Sequence, residues 1–363
     1  ASVSAHAGPP QGRASQQPER VPPANRTHPL PREGGRGEGA SVSAHAGPPQ
    51  GRASQQPERV PPANRTHPLP REGGRGEGAS VNPEGGVTLA VLSDVHLEIR
   101  RLQLSRQGLA EAAVDEALAQ MGRDAAARAA QADLVIIVGD LATGTDGIAW
   151  AETSFAPKPV VYVAGNHEFY RYEIDPLLRE LHQRASRSSN VRFLENEQAS
   201  FALRGQALRV LGCTFWTDYT LHGRLRRREM MEAAAQGLLD HRRIRSHSGQ
   251  HFTPHDALAR HQASRTWLEA KLALPFAGVT VIATHHAPLP LAISPQYQQD
   301  LLSPAFASDC SELLPYQPAA WVWGHTHYNV DCQVEATRFF SYQWGYPGEG
   351  METAVGLLHL PPH

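Results

Sequence analysis

Cysteine is scarce. Cys213, Cys310 and Cys332 are the whole supply in 363 residues, too few and too scattered for a disulfide framework or a thiolate metal site. No run approaches the ~18 apolar residues that a membrane span needs, so no membrane association is expected. A charged-then-apolar leader is also missing, which makes the expected location cytoplasmic. Positive charge is not in surplus either: 34 basic and 36 acidic residues leave a net −2. That balance argues against a duplex-binding protein and gives no strong nucleic-acid signal.

The first part of the chain lacks still more. Residues 1–39 recur letter for letter as residues 40–78, and neither copy contains Phe, Trp, Tyr, Ile, Met, Cys or Lys. Each copy has seven Pro and six Gly, and its only large aliphatics are Val3, Val21 and Leu30 or their counterparts. Such a segment buries too little apolar surface to offset its ordering entropy, so residues 1–80 are expected to form a disordered tail. A solenoid is excluded, because the unit has no hydrophobic face and occurs only twice. Each copy carries net +2, so the two hold +4 and the remainder holds −6. The chain divides into a basic arm and an acidic domain at 81–363, long enough for one substantial core.

From Val87 the texture changes. Apolar runs at 87–92, 134–138, 160–164, 279–283 and 321–323 have strand length without alternation, which predicts strands covered on both faces. Residues ~107–131 carry apolar positions at helical spacing, and further helix-like segments lie at ~173–187 and ~254–273. In the last of these Thr253 is the expected N-cap and Pro254 the first helical residue. Residues 191–218 and 329–360 alternate in the manner of antiparallel strands. Alternating strands and helices predict an α/β class. All five apolar strands end, on the C-terminal side, in polar residues able to bind metal. In open α/β sheets that edge is where ligands bind.

Those ends supply Asp94, His96, Asp140, Asn166, His167, His285, His325 and His327. Carboxylate, imidazole and amide donors without thiolate suit Mn²⁺, Fe or Zn²⁺. In Asp94-Val95-His96 and His325-Thr326-His327 the i, i+2 spacing puts both side chains on one side of an extended end. So many donors exceed the needs of one ion, and a carboxylate shared by two ions accounts for the number. Ions held ~3.5–4 Å apart are a common device for phosphate-ester hydrolysis. His222, His241, His247, His251, His255 and His261 lie in a basic stretch and are expected at the surface. Trp216 and Tyr219 are expected in the core rather than as stacking platforms.

The order Asp94-x-His96, Gly139-Asp140, Gly165-Asn166-His167-Glu168, Thr284-His285 and Gly324-His325-Thr326-His327 resembles the calcineurin-like metallophosphoesterase superfamily, over about residues 88–328. The resemblance implies a four-layer α/β/β/α sandwich of two mixed sheets. It implies one metal on Asp94, His96, Asp140 and His327, and a second on Asp140, Asn166, His285 and His325, with Asp140 bridging. A hydroxide held between the ions would attack phosphorus. Asn166 and His167 would touch the phosphate, and His167 would protonate the leaving alkoxide. Glu168 resembles the family's usual Asp or Glu and is expected to orient His167. His285 directly follows its strand and is favoured as the ligand over His286, which either faces the pocket as a substrate contact or is solvated.

The stretch from Gly139 to Gly147 contains no Arg, whereas protein serine/threonine phosphatases of the superfamily carry Asp-Arg-Gly there. The chain looks closer to bacterial members that act on small substrates, as do the stretches 212–218 and 345–349. The implied reaction is hydrolysis of a small phosphate ester, with a phosphodiester preferred. A phosphomonoesterase acting on a nucleotide or sugar phosphate is the alternative, and a nuclease or a non-catalytic scaffold is more distant. Residues 219–255 carry two basic runs. They form either a cap over the metals or a solvated helical face with Arg paired to Glu229 and Glu232. The sequence sets no oligomeric state.

Overall fold

A computed structural model describes residues 85–351 and 353–362. The expected tail, residues 1–80, lies outside the described residues. The fold opens with β1 (Val87–Leu92), α1 (Leu97–Arg106), α2 (Glu111–Arg128), β2 (Leu134–Val138), α3 (Asp146–Phe155), β3 (Val160–Val163), α4 (Ile174–Ala185) and β4 (Val191–Phe193). It continues with β5 (Glu197–Leu203), β6 (Gln206–Cys213), α5 (Arg227–Gly237), α6 (Asp240–Arg243) and α7 (Pro254–Leu272). The last elements are β7 (Val279–Thr284), β8 (Ala320–Val322), β9 (Asp331–Val334), β10 (Thr337–Phe340) and β11 (Gly356–Leu360).

Every residue of β1, β2 and β3 is buried, as their uninterrupted Val, Leu and Ile content requires. They belong to a five-stranded sheet in the order β11-β1-β2-β3-β4, while a six-stranded sheet runs β5-β6-β7-β8-β10-β9. Within the first sheet β1 to β4 are parallel and β11 is antiparallel. Within the second, β6, β7, β8 and β10 are parallel and the two edge strands antiparallel. Both sheets are mixed. One face of each is apolar and the two faces meet: Val91, Ile136 and Val163 pack with Val210, Val281 and Val322. The outer face of the first sheet packs Leu92, Val135 and Ile137 against Val114 and Leu118 of α2 and Leu177 of α4. Leu211, Ile282 and Trp321 on the outer face of the second pack against Leu268 and Leu272 of α7. The expected four layers are present. Fully burying one such aliphatic side chain contributes about 1.5–3 kcal/mol, so these three apolar layers dominate the stability.

Local signals explain some element ends. Thr253 accepts a hydrogen bond from the Asp256 amide while the Asp256 carboxylate accepts one from the Thr253 amide at 2.7 Å, and Pro254 opens α7. Arg204 and Gly205, both at positive φ, turn β5 into β6. Where a single helix was expected at ~107–131, Gly108 (φ 86) intervenes and α2 begins only at Glu111. α1 and α3 were not legible in the sequence. α1 buries little apart from Leu97 and the stem of Arg100, whose guanidinium donates to Val95 O and Gly345 O. β4 departs from the expected antiparallel pairing: it follows α4, and that helical crossover returns it parallel to β3. Among the described residues, no helix is long and apolar enough to cross a membrane.

Candidate metal centre

The residues that follow β1, β2 and β3 meet those that follow β7 and β8. To turn inward there, the backbone adopts a conformation that most side chains avoid. Asp94 (φ 55), His96 (φ 50), Asp140 (φ 50), His325 (φ 72) and His327 (φ 45) are all left-handed. Asp and His tolerate this region better than most residues, yet each still carries a local penalty of order 1 kcal/mol. Five such positions in one cluster mean that the surrounding structure fixes them. Glycine makes the approach possible. A Cβ on Gly139 would collide with His285 Nδ1, one on Gly165 with Asp140 Oδ1, and one on Gly324 with Asp94 Oδ2.

All seven expected ligand residues and His167 converge. His327 Nε2 lies 3.4 Å from Asp94 Oδ1 and 3.2 Å from His96 Nε2. Asp140 reaches both ways, with Oδ2 3.8 Å from His96 Nε2 and Oδ1 3.3 Å from His285 Nε2. Asn166 Oδ1 is 3.0 Å from His285 Nε2. Within each of the groups Asp94–His96–His327, His96–Asp140–His167 and Asp140–His285–His325, the donor atoms lie within 4.8 Å of one another. Outer partners orient the rings. His285 Nδ1 donates to Val138 O at 2.8 Å, and His327 Nδ1 to Glu349 Oε2 at 2.7 Å. His325 Nε2 is buried with no hydrogen-bond partner.

Burial sets the charge states. It depresses His96 to about 3, helped by the nearby His167, and His285 to about 4. It drives His325 and His286 well below the ordinary imidazole value, with neighbouring imidazoles adding to the effect. His327 goes the other way: burial lowers it, but its bonds to Asp94 and Glu349 outweigh this and raise it to about 9. Burial, with the Glu168 and Asp94 charges, pushes the Asp140 carboxyl well above its usual range. For Asp94 burial works upward too, but the His327 hydrogen bond and charge carry the carboxyl below its usual range.

One expected role is overturned. Glu168 does not orient His167. Its carboxylate accepts from the amides of Asp140 (3.0 Å), Leu141 (2.8 Å) and Gly165 (2.6 Å) and from Tyr162 Oη (2.6 Å). It clamps the ends of β2 and β3 together. The partner of His167 Nδ1 is Glu98 Oε1, at 2.8 Å. A carboxylate two residues beyond His96 was the available sequence signal. Tyr346 was also missed as a site residue; its Oη lies 3.0 Å from His167 Nε2 and its ring 4.4 Å from that of His96.

His286 is buried rather than solvated, donating from Nδ1 to Thr214 O and lying 4.2 Å from the His325 ring. His241 and His261 are likewise buried, against expectation, because each bonds a backbone carbonyl, Phe252 O and Trp216 O respectively. Trp216 and Tyr219 are core residues, as expected. In 219–255 the Arg226–Glu229 and Arg228–Glu232 pairs form the solvated face, while Asp240 reaches inward to Asn166 Nδ2 at 2.9 Å.

The profile of the calcineurin-like phosphoesterase family matches residues 87–329. Uncharacterized protein L509 of Acanthamoeba polyphaga mimivirus is 23% identical over 205 residues, 52% of this chain and 69% of that protein. The phosphopantetheinyl hydrolase PptH from Mycobacterium tuberculosis aligns with a TM-score of 0.53 at 19% identity, covering 77% of this chain and 98% of that one. A dimetal phosphatase from Danio rerio aligns over 76% of this chain and 93% of that one, at 16% identity and a TM-score of 0.41. At such identities structural likeness bears on fold, and the PptH alignment agrees with the two-sheet sandwich.

The division of labour between the two glutamates is testable by denaturant unfolding of the metal-free protein. Glu168→Gln turns an NH₂ group toward backbone donors and is expected to lower the unfolding free energy by about 1–3 kcal/mol. Glu98→Gln is expected to change it by less than about 1 kcal/mol. Equal losses in the two variants would contradict the assignment.

Proposed function

Because the chain belongs to the calcineurin-like phosphoesterases, metal-dependent hydrolases of phosphate esters, we propose that it cleaves a small phosphate ester at a two-ion centre, with phosphodiesters preferred over monoesters. The observation that carries this reading is the Asp140 carboxylate, whose two oxygens face His96 on one side and His285 on the other. One ion is assigned to Asp94, His96, Asp140 and His327, the other to Asp140, Asn166, His285 and His325. The donor set fits Mn²⁺ or Fe, with Zn²⁺ also compatible. The fit is supported by the unpartnered buried His325 Nε2, a costly arrangement for a nitrogen with no role as a ligand. Burial also keeps His96, His285 and His325 in the neutral form that a metal requires. Bound divalent ions supply charge neutralisation for the phosphoryl oxygens and a nucleophile at neutral pH.

The side chains around the ions do the positioning and the proton transfer. His167 holds Glu98 through Nδ1, which leaves Nε2 to meet the substrate. Tyr346 Oη, 3.0 Å from Nε2, marks where a leaving oxygen can accept a proton. Asn166, His167 and His286 are the substrate contacts in this reading, His286 lying 4.2 Å from the His325 ring. Charge supports the diester preference. A monoester brings an additional negative charge, whereas the neighbouring Arg100 already donates to two carbonyls and Glu98 and Glu349 stand beside the site. A nucleotide or sugar-phosphate monoesterase is the alternative.

With Mn²⁺ the protein is expected to hydrolyse bis-p-nitrophenyl phosphate, and Asp140→Asn or His325→Ala to cut turnover more than about a hundredfold. Metal-independent turnover by the parent would sink the proposal. His167→Ala is expected to keep its metal and to lose about 10²–10⁴-fold in rate, most on esters with poor leaving groups. If that variant lost metal instead, the acid role would be wrong.

The metal-free protein holds a proton on His327 up to about pH 9, and that proton must leave before Nε2 can bind an ion. Mn²⁺ affinity is therefore expected to rise with pH from 7 to 9 and then level off, with at least one proton released per chain at pH 7.5. Calorimetric titration in buffers of different ionisation heat reads this release. A buffer-independent heat would contradict it.

A further inference from the structure

Asn166 has a side chain with two ends, and only the oxygen can serve a cation. Its Nδ2 donates to Asp240 Oδ1 at 2.9 Å, while its Oδ1 lies 3.0 Å from His285 Nε2. Tyr170 Oη donates to the same Asp240 oxygen, also at 2.9 Å. Asp240 begins α6, within the 219–255 segment, and is 5% exposed. Asp240 Oδ1 is thus the acceptor of both bonds. Rotating the Asn166 amide by half a turn would set its oxygen against the Asp240 carboxylate and its NH₂ toward His285.

From this geometry we infer that Asp240 is a positioning residue for the second ion, holding the Asn166 amide so that Oδ1 is the atom offered beside Asp140 and His285. The inference rests on the two-ion reading of the site. It changes the meaning of the 219–255 segment. Its outer face is solvated, but its inner end completes the outer layer of one metal position, so the segment is not a detachable cover. Partners that orient metal ligands typically matter by about 10–100-fold in affinity.

Calorimetric titration of the metal-free full chain with Mn²⁺ alone tests this. The parent is expected to take up two ions. Asp240→Ala is expected to keep the ion at Asp94, His96 and His327 and to weaken the other by about 10–100-fold. Asp240→Asn still offers a carbonyl oxygen to both donors and is expected to stay within about fivefold of the parent. An Ala variant that binds both ions as tightly as the parent overturns the inference, as does an Asn variant as weak as the Ala variant. A parent that binds a single ion or none overturns the two-ion reading instead. Should Asp240→Ala fail to fold, Asn166→Asp takes its place, because it sets two carboxylates together and removes the donor. Adding Asp240→Asn to Asn166→Asp is then expected to tighten the second ion at least about tenfold, the coupling of residues in contact. No improvement in the double variant overturns the inference.

Discussion

The two sheets meet chemically at one buried carboxylate. Asp140 follows β2, in the middle of the first sheet, and its oxygens reach His96 beyond β1 and His285 beyond β7 of the second sheet. Three devices hold it there. The Glu168 carboxylate accepts from its backbone amide, the His167 amide donates to Oδ1 at 2.9 Å, and Gly165 leaves the space that a side chain would fill. If the carboxylate moves, the imidazoles on either side lose their common partner. The left-handed turns at Asp94, His96, Asp140, His325 and His327 are the strain that this convergence requires.

Electrostatics explain why such a cluster belongs to a metal enzyme. Burial holds several imidazoles neutral within a few ångströms of one another, and it pushes the central carboxyl upward. Neutral imidazole, amide oxygen and carboxylate are together a poor way to stabilise a protein core but a good way to receive divalent cations. His327 is the exception: it sits between Asp94 and Glu349, which raise it to about 9, and in the proposed reading it would link metal binding to pH. Around this centre the division of roles is clear. Glu168 clamps backbone, Glu98 holds His167, and Asp240 holds Asn166.

Much of this was legible in the amino-acid sequence, for physical reasons. Runs such as Leu134–Val138 are apolar at every position and admit only a doubly covered strand. Residues able to bind metal, placed directly after such strands, marked the binding edge, so Asp94, His96, Asp140, Asn166, His167, His285, His325 and His327 could be named before any coordinates. Contacts made across the chain were not legible. Asp240 reaches Asn166 over 74 residues and Tyr346 reaches His167 over 179. Glu168 was misassigned because adjacency to His167 suggested a side-chain partner, whereas the backbone turns the carboxylate toward the amides of Asp140 and Gly165. His241 and His261 looked like surface residues in a basic stretch, yet each finds a carbonyl to bond inside the fold.

The central claim is that Asp140 bridges two ions. Crystals of the full chain soaked in Mn²⁺, with diffraction recorded at the manganese edge, test it most directly. The account predicts two anomalous peaks per chain, about 3.5–4 Å apart, with the Asp140 carboxylate between them. A single peak, or two peaks that do not share Asp140, would contradict it.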